Sequence, residues 1–191
     1  FIDKDESALS ELIKRKYDII ESRKNIKGTI NGMNIHILSE NLIKNYSLIS
    51  TDIQTKFNIH SFDSAVCNFA VHYLCDTKEN IYNFIFLVNT LLKIGGKILI
   101  TTFDGKSIFD ILKDISINDE WILKEDNINK YVIKRLYLGD KLTDVGQKIA
   151  VKLPMSDDMY EEYLCNIDYI TSLMTSNGFK LLESNNFINY D

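Results

Sequence analysis

The chain has 191 residues, of which 45% are hydrophobic and 26% charged. A domain of this length can bury a core without disulfides or metals. Its net charge of −5 comes from basic and acidic residues interspersed along the chain, which argues against a broad nonspecific nucleic-acid surface. The three cysteines include no CxxC pair, so neither a disulfide framework nor a metal site is indicated, and a reducing compartment fits best. No apolar run reaches the roughly 18 residues of a membrane span.

The chain begins at Phe1 and not at an initiator methionine, and we expect it to be part of a longer polypeptide. Residues 1–3 have the pattern of a strand end. A helix is predicted to start at residues 5–7, because the apolar residues that follow have helical spacing. An alternating apolar run at 33–38 predicts a second strand, which the polar stretch 39–41 closes.

The middle of the chain alternates between strand and helix patterns. A strand is predicted over 61–68, and a helix from about Asp76 with Glu79 as its capping-box partner. The glycine pair at 95–96 is expected to end that helix, since glycine tolerates a left-handed C-cap. The continuous apolar run 97–102 then predicts a strand covered on both faces. This alternation predicts an α/β unit with a parallel sheet.

The last third of the chain has a different pattern. Two strands are predicted at 131–137 and 148–153, on either side of a glycine-containing loop. They are followed by a helix whose apolar face runs from 160 to 174 and which ends at Asn177-Gly178. Residues 179–182 are predicted to begin a final strand.

Two polar residues lie where the predicted parallel strands end, which is where open α/β sheets bind ligands. Asp3 could accept two hydrogen bonds from the ribose diol of a nucleotide-like cofactor, although an ordinary helix N-cap has the same pattern. Asn41 could hold an adenine edge through its amide, and a plain turn residue is the alternative interpretation.

The most specific segment is FDSAVCNFAVHY at 62–73, followed after a helix by GGKILITTFDG at 95–105. This pattern resembles the messenger-RNA cap guanine-N7 methyltransferases, whose sequences carry FD, a few residues, QFAxHY, a helix, GG and a strand ending in TT. It is most similar to the branch found in capping enzymes of large cytoplasmic DNA viruses. Leu153-Pro154 and residues 161–164 extend the similarity over nearly the whole chain.

The resemblance implies a class I (Rossmann-like) S-adenosylmethionine-dependent methyltransferase with a mostly parallel sheet. It implies that residues 1–191 are a single methyltransferase domain truncated at both ends, without the glycine-rich first strand and the last strand. The implied reaction moves the methyl group of S-adenosylmethionine to guanine N7 of a GpppN-capped RNA. Because N7 carries a lone pair and no proton, catalysis needs orientation and no general base, so no catalytic residue is assigned.

The resemblance divides the candidate site residues into two groups. It assigns the cofactor S-adenosylmethionine to Asp3, Asn41 and Asn68. It assigns the cap guanine to Phe69, His72, Tyr73 and Glu162. Glu162 would accept from guanine N1 and N2, and His72 could donate to O6. Without the resemblance, His72 would be interpreted as a structural or surface histidine, and Phe69 and Tyr73 as core aromatic residues. Glu162 would be interpreted as a solvated acid at a helix start.

Several positions depart from the family pattern. Asn68 occupies the position of the usual Gln, Asn41 that of an acidic residue, and Phe103 that of the Pro found in many cellular members. The alternatives are therefore a non-catalytic methyltransferase-like subunit or binding module, and a class I methyltransferase acting on a small molecule. The partners that the resemblance implies are capped RNA, other capping domains in the same polypeptide and a possible stimulatory subunit, with no membrane. The implied location is the cytoplasm, in a virus factory or virion if the chain is viral.

Overall fold

The computed structural model describes residues 2–3, 7, 10–15, 38–39, 46–56, 61–125, 128–154 and 158–187. The chain divides into two compact units, Phe1–Ser61 and Phe62–Asp191.

The first unit contains a short parallel strand pair. Strand β1 (Ile2–Asp3) pairs with β2 (Leu38–Ser39), with Ile2 beside Leu38 and Asp3 beside Ser39. Residues 10–15 are helical and form α1. The predicted strand end at Asp3 and the predicted helix are confirmed for these residues. The predicted strand at 33–37 and the candidate site residue Asn41 lie outside the described residues.

Helix α2 (Tyr46–Lys56) has no counterpart among the predicted elements. It buries Ile49 and Ile53, which are four residues apart on one face. Its Ser and Thr residues favour caps and turns over helix interiors, and they obscure this short apolar spacing. In the structure the hydroxyl of Thr55 donates to the carbonyl oxygen of Thr51, one turn earlier in the helix.

The second unit begins with a parallel pair that positions the candidate site. Strand β3 (Phe62–Asn68) pairs with β4 (Leu92–Thr101) in a register that places Asn68 beside Thr101. The connection between them contains a 3₁₀ helix (Val71–Leu74) and helix α3 (Lys78–Leu91). Parallel strands need a crossover of this kind, and the strand predicted at 61–68 is confirmed.

Helix α3 starts and ends at other residues than predicted. Its N-cap is Thr77, whose side chain accepts from the backbone N–H of Asn80, so the capping box of Asp76 and Glu79 is wrong. The carboxylate of Asp76 instead accepts from the backbone N–H of Thr77 and from the side-chain amide of Asn80. The helix ends at Leu91 because the next residue is already extended.

The glycine pair lies inside β4 and does not end the helix, so that prediction is wrong. Phe62 pairs with Leu92 but Ser64 pairs with Lys97, so extra residues of β4 loop out between these two points. Gly95 has φ +80° in this segment, a conformation that only glycine adopts readily. The glycines therefore serve the irregular register and not a helix C-cap.

One face of the β3–β4 pair is open. Val66 and Leu99 are partners in the register and are 62% and 58% exposed, whereas Cys67 on the other face is buried. The expectation that the strand is covered on both faces is therefore wrong. An apolar run fits a pleated strand because of β-propensity, and this propensity does not require a covering layer.

A four-stranded antiparallel sheet follows helix α4 (Gly105–Leu112). Its strands are β5 (Glu120–Glu125), β6 (Ile128–Arg135), β7 (Lys148–Lys152) and β8 (Tyr160–Tyr163), hydrogen-bonded in that order. The two predicted strands correspond to β6 and β7, with β6 beginning and ending earlier, while β5 was not predicted. The sheet packs its buried face against α4 around Phe109, Leu112, Tyr137, Ile149, Val151 and Leu164.

The predicted helix over 160–174 is wrong in its first part. Residues 160–163 form strand β8, and helix α5 (Ile167–Ser176) begins only after Asn166, whose side chain accepts from the N–H of Tyr169. Asn166 is a typical N-cap residue, and the three-residue spacing of the tyrosines before it imitates one face of a helix. The final strand predicted at 179–182 is also wrong, since these described residues have no strand structure.

Candidate functional site

Phe69 occupies an unusual backbone conformation just beyond β3. Its φ is +44°, in the left-handed region that residues other than glycine rarely adopt. Its backbone N–H donates to the carbonyl oxygen of Thr101 at 2.9 Å. The ring is 46% exposed and lies 5.5 Å from the ring of Phe103 and 6.1 Å from that of Phe187, measured between centroids. The chain thus presents an aromatic cluster at the carboxyl ends of β3 and β4.

His72 lies in the 3₁₀ helix and is 3% exposed. Its ring is 4.2 Å from the ring of Tyr73 and 6.1 Å from that of Phe103. Within the described ranges, neither ring nitrogen has a hydrogen-bond partner. Burial lowers the pKa of His72 to about 4, because the charged form loses its hydration. The imidazole is therefore neutral at pH 7, with one donor and one acceptor that no described residue bonds to.

Glu162 is buried in β8 and faces His72. It is 7% exposed, and its Oε1 atom lies 3.6 Å from Nε2 of His72, beyond hydrogen-bond distance. Burial raises the pKa of Glu162, and a hydrogen bond with the hydroxyl of Tyr73 opposes that shift. The interpretation of Glu162 as a solvated acid at a helix start is wrong, because it lies in a strand and points inward.

Side chains alternate between the two faces of β8, which explains why Glu162 is buried and its neighbour Glu161 is not. Successive side chains of a strand point to opposite faces, so Glu161 faces solvent and pairs with Lys148, with Nζ 2.8 Å from Oε2. Glu162 points to the 3₁₀ helix, against which β8 packs. The segments that follow these two elements are also in contact, since the sulfur atoms of Cys75 and Cys165 are 3.4 Å apart. The packing of β8 against the 3₁₀ helix therefore holds His72 and Glu162 close together.

The structure describes only two of the three residues assigned to the cofactor, and only one of these lies in the second unit. Asn68 ends β3, is exposed, and accepts a hydrogen bond from the hydroxyl of Thr101 at 2.9 Å. Asp3 ends β1 in the first unit, and Asn41 lies outside the described residues. The structure thus brings Asn68 into the same region as the four residues assigned to the guanine, which are Phe69, His72, Tyr73 and Glu162.

Three residues of this region were not assigned to the site from the sequence. Thr101 contacts both Asn68 and Phe69, and Phe103 and Phe187 pack against Phe69. Thr101 and Phe103 follow the apolar part of β4, and the end of a parallel strand is itself a signal for ligand contact. Phe187 does not follow a parallel strand, so no such sequence signal pointed to it.

The arrangement suits a planar heterocycle. Exposed rings can stack on its faces, the carboxylate of Glu162 can accept from two adjacent donors, and neutral His72 can donate to an acceptor. In the described part of the chain, no group of three or more His, Cys, Asp or Glu side chains could hold a metal ion. Of the helices that the structure describes, none has both the length and the hydrophobicity to span a bilayer.

Comparisons with known proteins give two kinds of likeness. No family model matches the chain. It is 32% identical, over 97% of its length, to the mRNA-capping enzymes of African swine fever virus isolate Pig/Kenya/KEN-50/1950 and strain Badajoz 1971 Vero-adapted. It is 29% identical, over 68% of its length, to the probable mRNA-capping enzyme of Acanthamoeba polyphaga mimivirus. The chain spans 22% of the African swine fever virus proteins and 12% of the mimivirus protein. The expected resemblance to viral capping enzymes is confirmed.

The fold is similar to that of a solved S-adenosylmethionine-dependent methyltransferase from Clostridium acetobutylicum ATCC 824. The TM-score is 0.54 at 12% sequence identity, and the match covers 95% of this chain and 64% of the other. This likeness confirms the Rossmann-like α/β methyltransferase fold expected from the sequence.

Proposed function

We propose that this chain is the methyltransferase region of an mRNA-capping enzyme and that it methylates guanine N7 of GpppN-capped RNA. The observation that carries the proposal is the buried pair of His72 and Glu162, whose polar atoms face each other at 3.6 Å beside exposed aromatic rings. The viral relatives are named mRNA-capping enzymes, and the fold is that of a methyltransferase.

The polar atoms of this pair match the edge of guanine. Guanine presents N1–H and N2–H as adjacent donors, which a carboxylate accepts well, and O6 as an acceptor for the N–H of a neutral imidazole. Burial raises the pKa of Glu162 against a hydrogen bond from the hydroxyl of Tyr73, so its charged form is only partly compensated in the free protein. The two donors of guanine would add to that bond. Adenine offers a different pattern of donors and acceptors and would leave the carboxylate unsatisfied.

The reaction requires orientation more than proton transfer. S-adenosylmethionine would supply a methyl group on a positively charged sulfur, and guanine N7 would accept that group with its lone pair as the methyl–sulfur bond breaks, so the positive charge would pass to the guanine ring. The roles of the chain are to hold the base in line and to stabilise the charged product ring. Glu162 serves both roles, because its carboxylate fixes the guanine edge and is negative when the ring becomes positive.

We infer that the cofactor is S-adenosylmethionine, from the fold and the family resemblance. Asp3 would bind the ribose hydroxyls, while Asn41 and Asn68 would complete the cofactor side. We also propose that residues 1–191 act as one methyltransferase domain. Because the chain spans about a fifth of the African swine fever virus proteins, other capping domains of the same polypeptide, and a stimulatory subunit, are proposed partners. The proposed location is the cytoplasm, in a virus factory or virion.

The test compares two adjacent glutamates in the full-length protein. Glu162→Gln keeps the shape but loses the charged acceptor, and we expect methylation of GpppRNA to fall by roughly 10²-fold, with little change in cofactor affinity. Glu161→Gln is the matched control, because this exposed side chain pairs only with Lys148 among the described residues, and it should leave the rate unchanged. Transfer of labelled methyl is measured on GpppRNA and ApppRNA, and digestion of the product locates the methyl group.

The outcomes separate the alternatives. Equal labelling of the two RNAs, or an unimpaired Glu162→Gln protein, would contradict the assigned guanine pocket. A folded parent that binds S-adenosylmethionine but labels neither RNA, even with its partner subunits, would favour a non-catalytic module or a small-molecule methyltransferase.

A further inference from the structure

We propose that Thr101 is a positioning residue of the cofactor site, and that its hydroxyl group sets the orientation of the Asn68 amide while it supports the backbone of Phe69. This inference rests on the proposed function, since Asn68 is assigned there to S-adenosylmethionine. It concerns a side chain to which the family resemblance assigns no role.

Three hydrogen bonds converge on Thr101. It is the last residue of β4 and the register partner of Asn68. Its hydroxyl donates to Oδ1 of Asn68 at 2.9 Å. The backbone N–H of Phe69 is shared between the carbonyl oxygen of Thr101 at 2.9 Å and its hydroxyl oxygen at 3.3 Å. The hydroxyl therefore accepts on one side and donates on the other, a pattern that strengthens both bonds.

The bond to Oδ1 decides which end of the Asn68 amide faces the site. An amide has an acceptor end and a donor end, and the hydroxyl of Thr101 occupies the acceptor end. The NH₂ group then points away from Thr101, and no residue in the described ranges accepts from it. Asn68 thus offers two donors to a ligand at the end of β3. Without the hydroxyl the amide could rotate and present its oxygen instead.

The effect on Phe69 should be smaller. Its left-handed conformation, with φ +44°, is also held by the shorter bond to the carbonyl oxygen of Thr101, which any residue at position 101 retains. Loss of the hydroxyl is therefore expected to weaken cofactor binding more than guanine binding. This split distinguishes a positioning role from general loss of stability, which would affect both.

The next residue supplies a matched control. Thr102 has the same side chain, but its hydroxyl donates to the sulfur atom of Cys165 at 3.2 Å and not to Asn68 or Phe69. Thr102→Val therefore removes a hydroxyl group from the same part of the chain without touching the Asn68 amide.

The experiment is calorimetric titration of the full-length protein with S-adenosylmethionine in the absence of RNA. We expect Thr101→Val to weaken the affinity about tenfold, the scale of one lost hydrogen bond that orients a ligand contact. Thr101→Ser keeps the hydroxyl group and should bind within about twofold of the parent protein. Thr102→Val should bind like the parent. Kinetics should show a raised KM for S-adenosylmethionine and a smaller change in the KM for capped RNA.

A double-mutant cycle tests whether Thr101 acts through Asn68. If it does, Thr101→Val adds little to the loss caused by Asn68→Ala, because residues that act as a unit are not additive. Parent-like affinity of Thr101→Val, or a full additional loss in the Asn68→Ala background, would overturn the inference. If the valine variant does not fold by circular dichroism, the comparison of Thr101→Ser with Thr101→Ala decides, since only serine retains the hydroxyl.

The failure of the inference can be told from that of the proposed function. A parent protein that binds the cofactor while Thr101→Val binds equally well contradicts the role of Thr101 alone. A folded parent that does not bind S-adenosylmethionine contradicts the cofactor assignment, and the role of Thr101 falls with it.

Discussion

The Nε2 atom of His72 lies 3.6 Å from Oε1 of Glu162, and both side chains are almost fully buried. The two elements that carry them, the 3₁₀ helix and β8, pack against each other. No hydrogen bond joins the two groups, and burial penalises the charged form of each, in Glu162 against a hydrogen bond from the hydroxyl of Tyr73. A buried polar group without a partner, here the imidazole of His72 among the described residues, costs on the order of 1–3 kcal/mol, and a ligand that bonds to it would recover much of that cost.

The first prediction concerns the pH dependence of stability. Burial lowers the pKa of His72 from 6.5 to about 4, so between these pH values the unfolded chain binds a proton that the folded protein does not. The free energy of unfolding should therefore fall as the pH falls from 6.5 to 4, by up to about 3 kcal/mol from this residue. Above pH 6.5 the residue contributes no pH dependence. Urea denaturation of the parent and of His72→Gln between pH 4 and 8 measures the difference.

Glu162 acts in the opposite direction and must be considered in the same experiment. Burial raises its pKa above 4.5, so the folded protein keeps a proton that the unfolded chain has released, and stability falls as the pH rises through that window. Measuring His72→Gln in the Glu162→Gln background isolates the histidine. Parallel stability curves with and without His72 in that background would contradict the prediction.

The second prediction concerns the close approach of Gly105 to Cys165. The N–H of Gly105 donates to the carbonyl oxygen of Cys165 at 3.2 Å, and a Cβ atom at position 105 would overlap that oxygen. Gly105→Ala should lower the free energy of unfolding by about 2–4 kcal/mol, since the backbone must move. Gly139→Ala is the control, because its φ of +99° is strained for alanine but no atom lies within 4 Å, and about 1 kcal/mol is expected. Equal losses in denaturation would contradict the steric argument.

The third prediction concerns Arg135 in β6. Its guanidinium donates to the backbone carbonyl oxygens of Leu112, Lys113, Ile115, Tyr137 and Gly139. A lysine ammonium group lacks the planar fork of donors with which the guanidinium reaches several carbonyl oxygens. Arg135→Lys should therefore lower the free energy of unfolding by about 2 kcal/mol, measured by thermal or urea denaturation. Arg15→Lys, which alters an exposed pair with Glu11, should change stability by less than about 0.5 kcal/mol. The same small change at both positions would show that the carbonyl contacts contribute little.

The fourth prediction concerns Asp3 and the cofactor. If Asp3 binds the ribose hydroxyls, Asp3→Ala should weaken the affinity for S-adenosylmethionine by about 1.5–3 kcal/mol, the scale of lost hydrogen bonds to a charged group. Asp63→Ala is the control, since this exposed carboxylate lies near the start of β3 and pairs with Lys93. Calorimetric titration of the full-length protein measures both variants. An unchanged affinity for Asp3→Ala would remove this residue from the proposed site.

Local patterns predicted the elements that depend on local chemistry. The segments that became β3, β4, β6 and β7 were predicted as strands, although β4 and β6 begin earlier than predicted, because strand propensity is a property of the segment itself. Residues 160–163 were misassigned because tyrosines three residues apart fit one face of a helix, whereas in the observed strand they point to opposite faces. Their pairing with β7 depends on residues elsewhere in the chain, which no local pattern contains.

The residues of the candidate site could be predicted from the sequence, but their distances and burial could not. The resemblance assigned His72 and Glu162 to one pocket, although they are 90 residues apart in the chain. Their separation and burial depend on which face of β8 turns toward the 3₁₀ helix, and a shift of one residue would have buried Glu161 instead. The proposed role of Thr101 depends in the same way on the register of β4 with β3.

The left-handed conformation of Phe69 strains the backbone at a position whose ring belongs to the proposed guanine pocket. Glycine would relieve a backbone strain of about 1 kcal/mol there, and the ring that it would replace is half exposed. That ring also packs against Phe103 and Phe187, so glycine at position 69 would exchange the relief of strain for lost ring contacts. A library of variants sorted only for thermal stability should therefore tolerate glycine there, whereas one sorted for the proposed cap methylation should keep an aromatic residue.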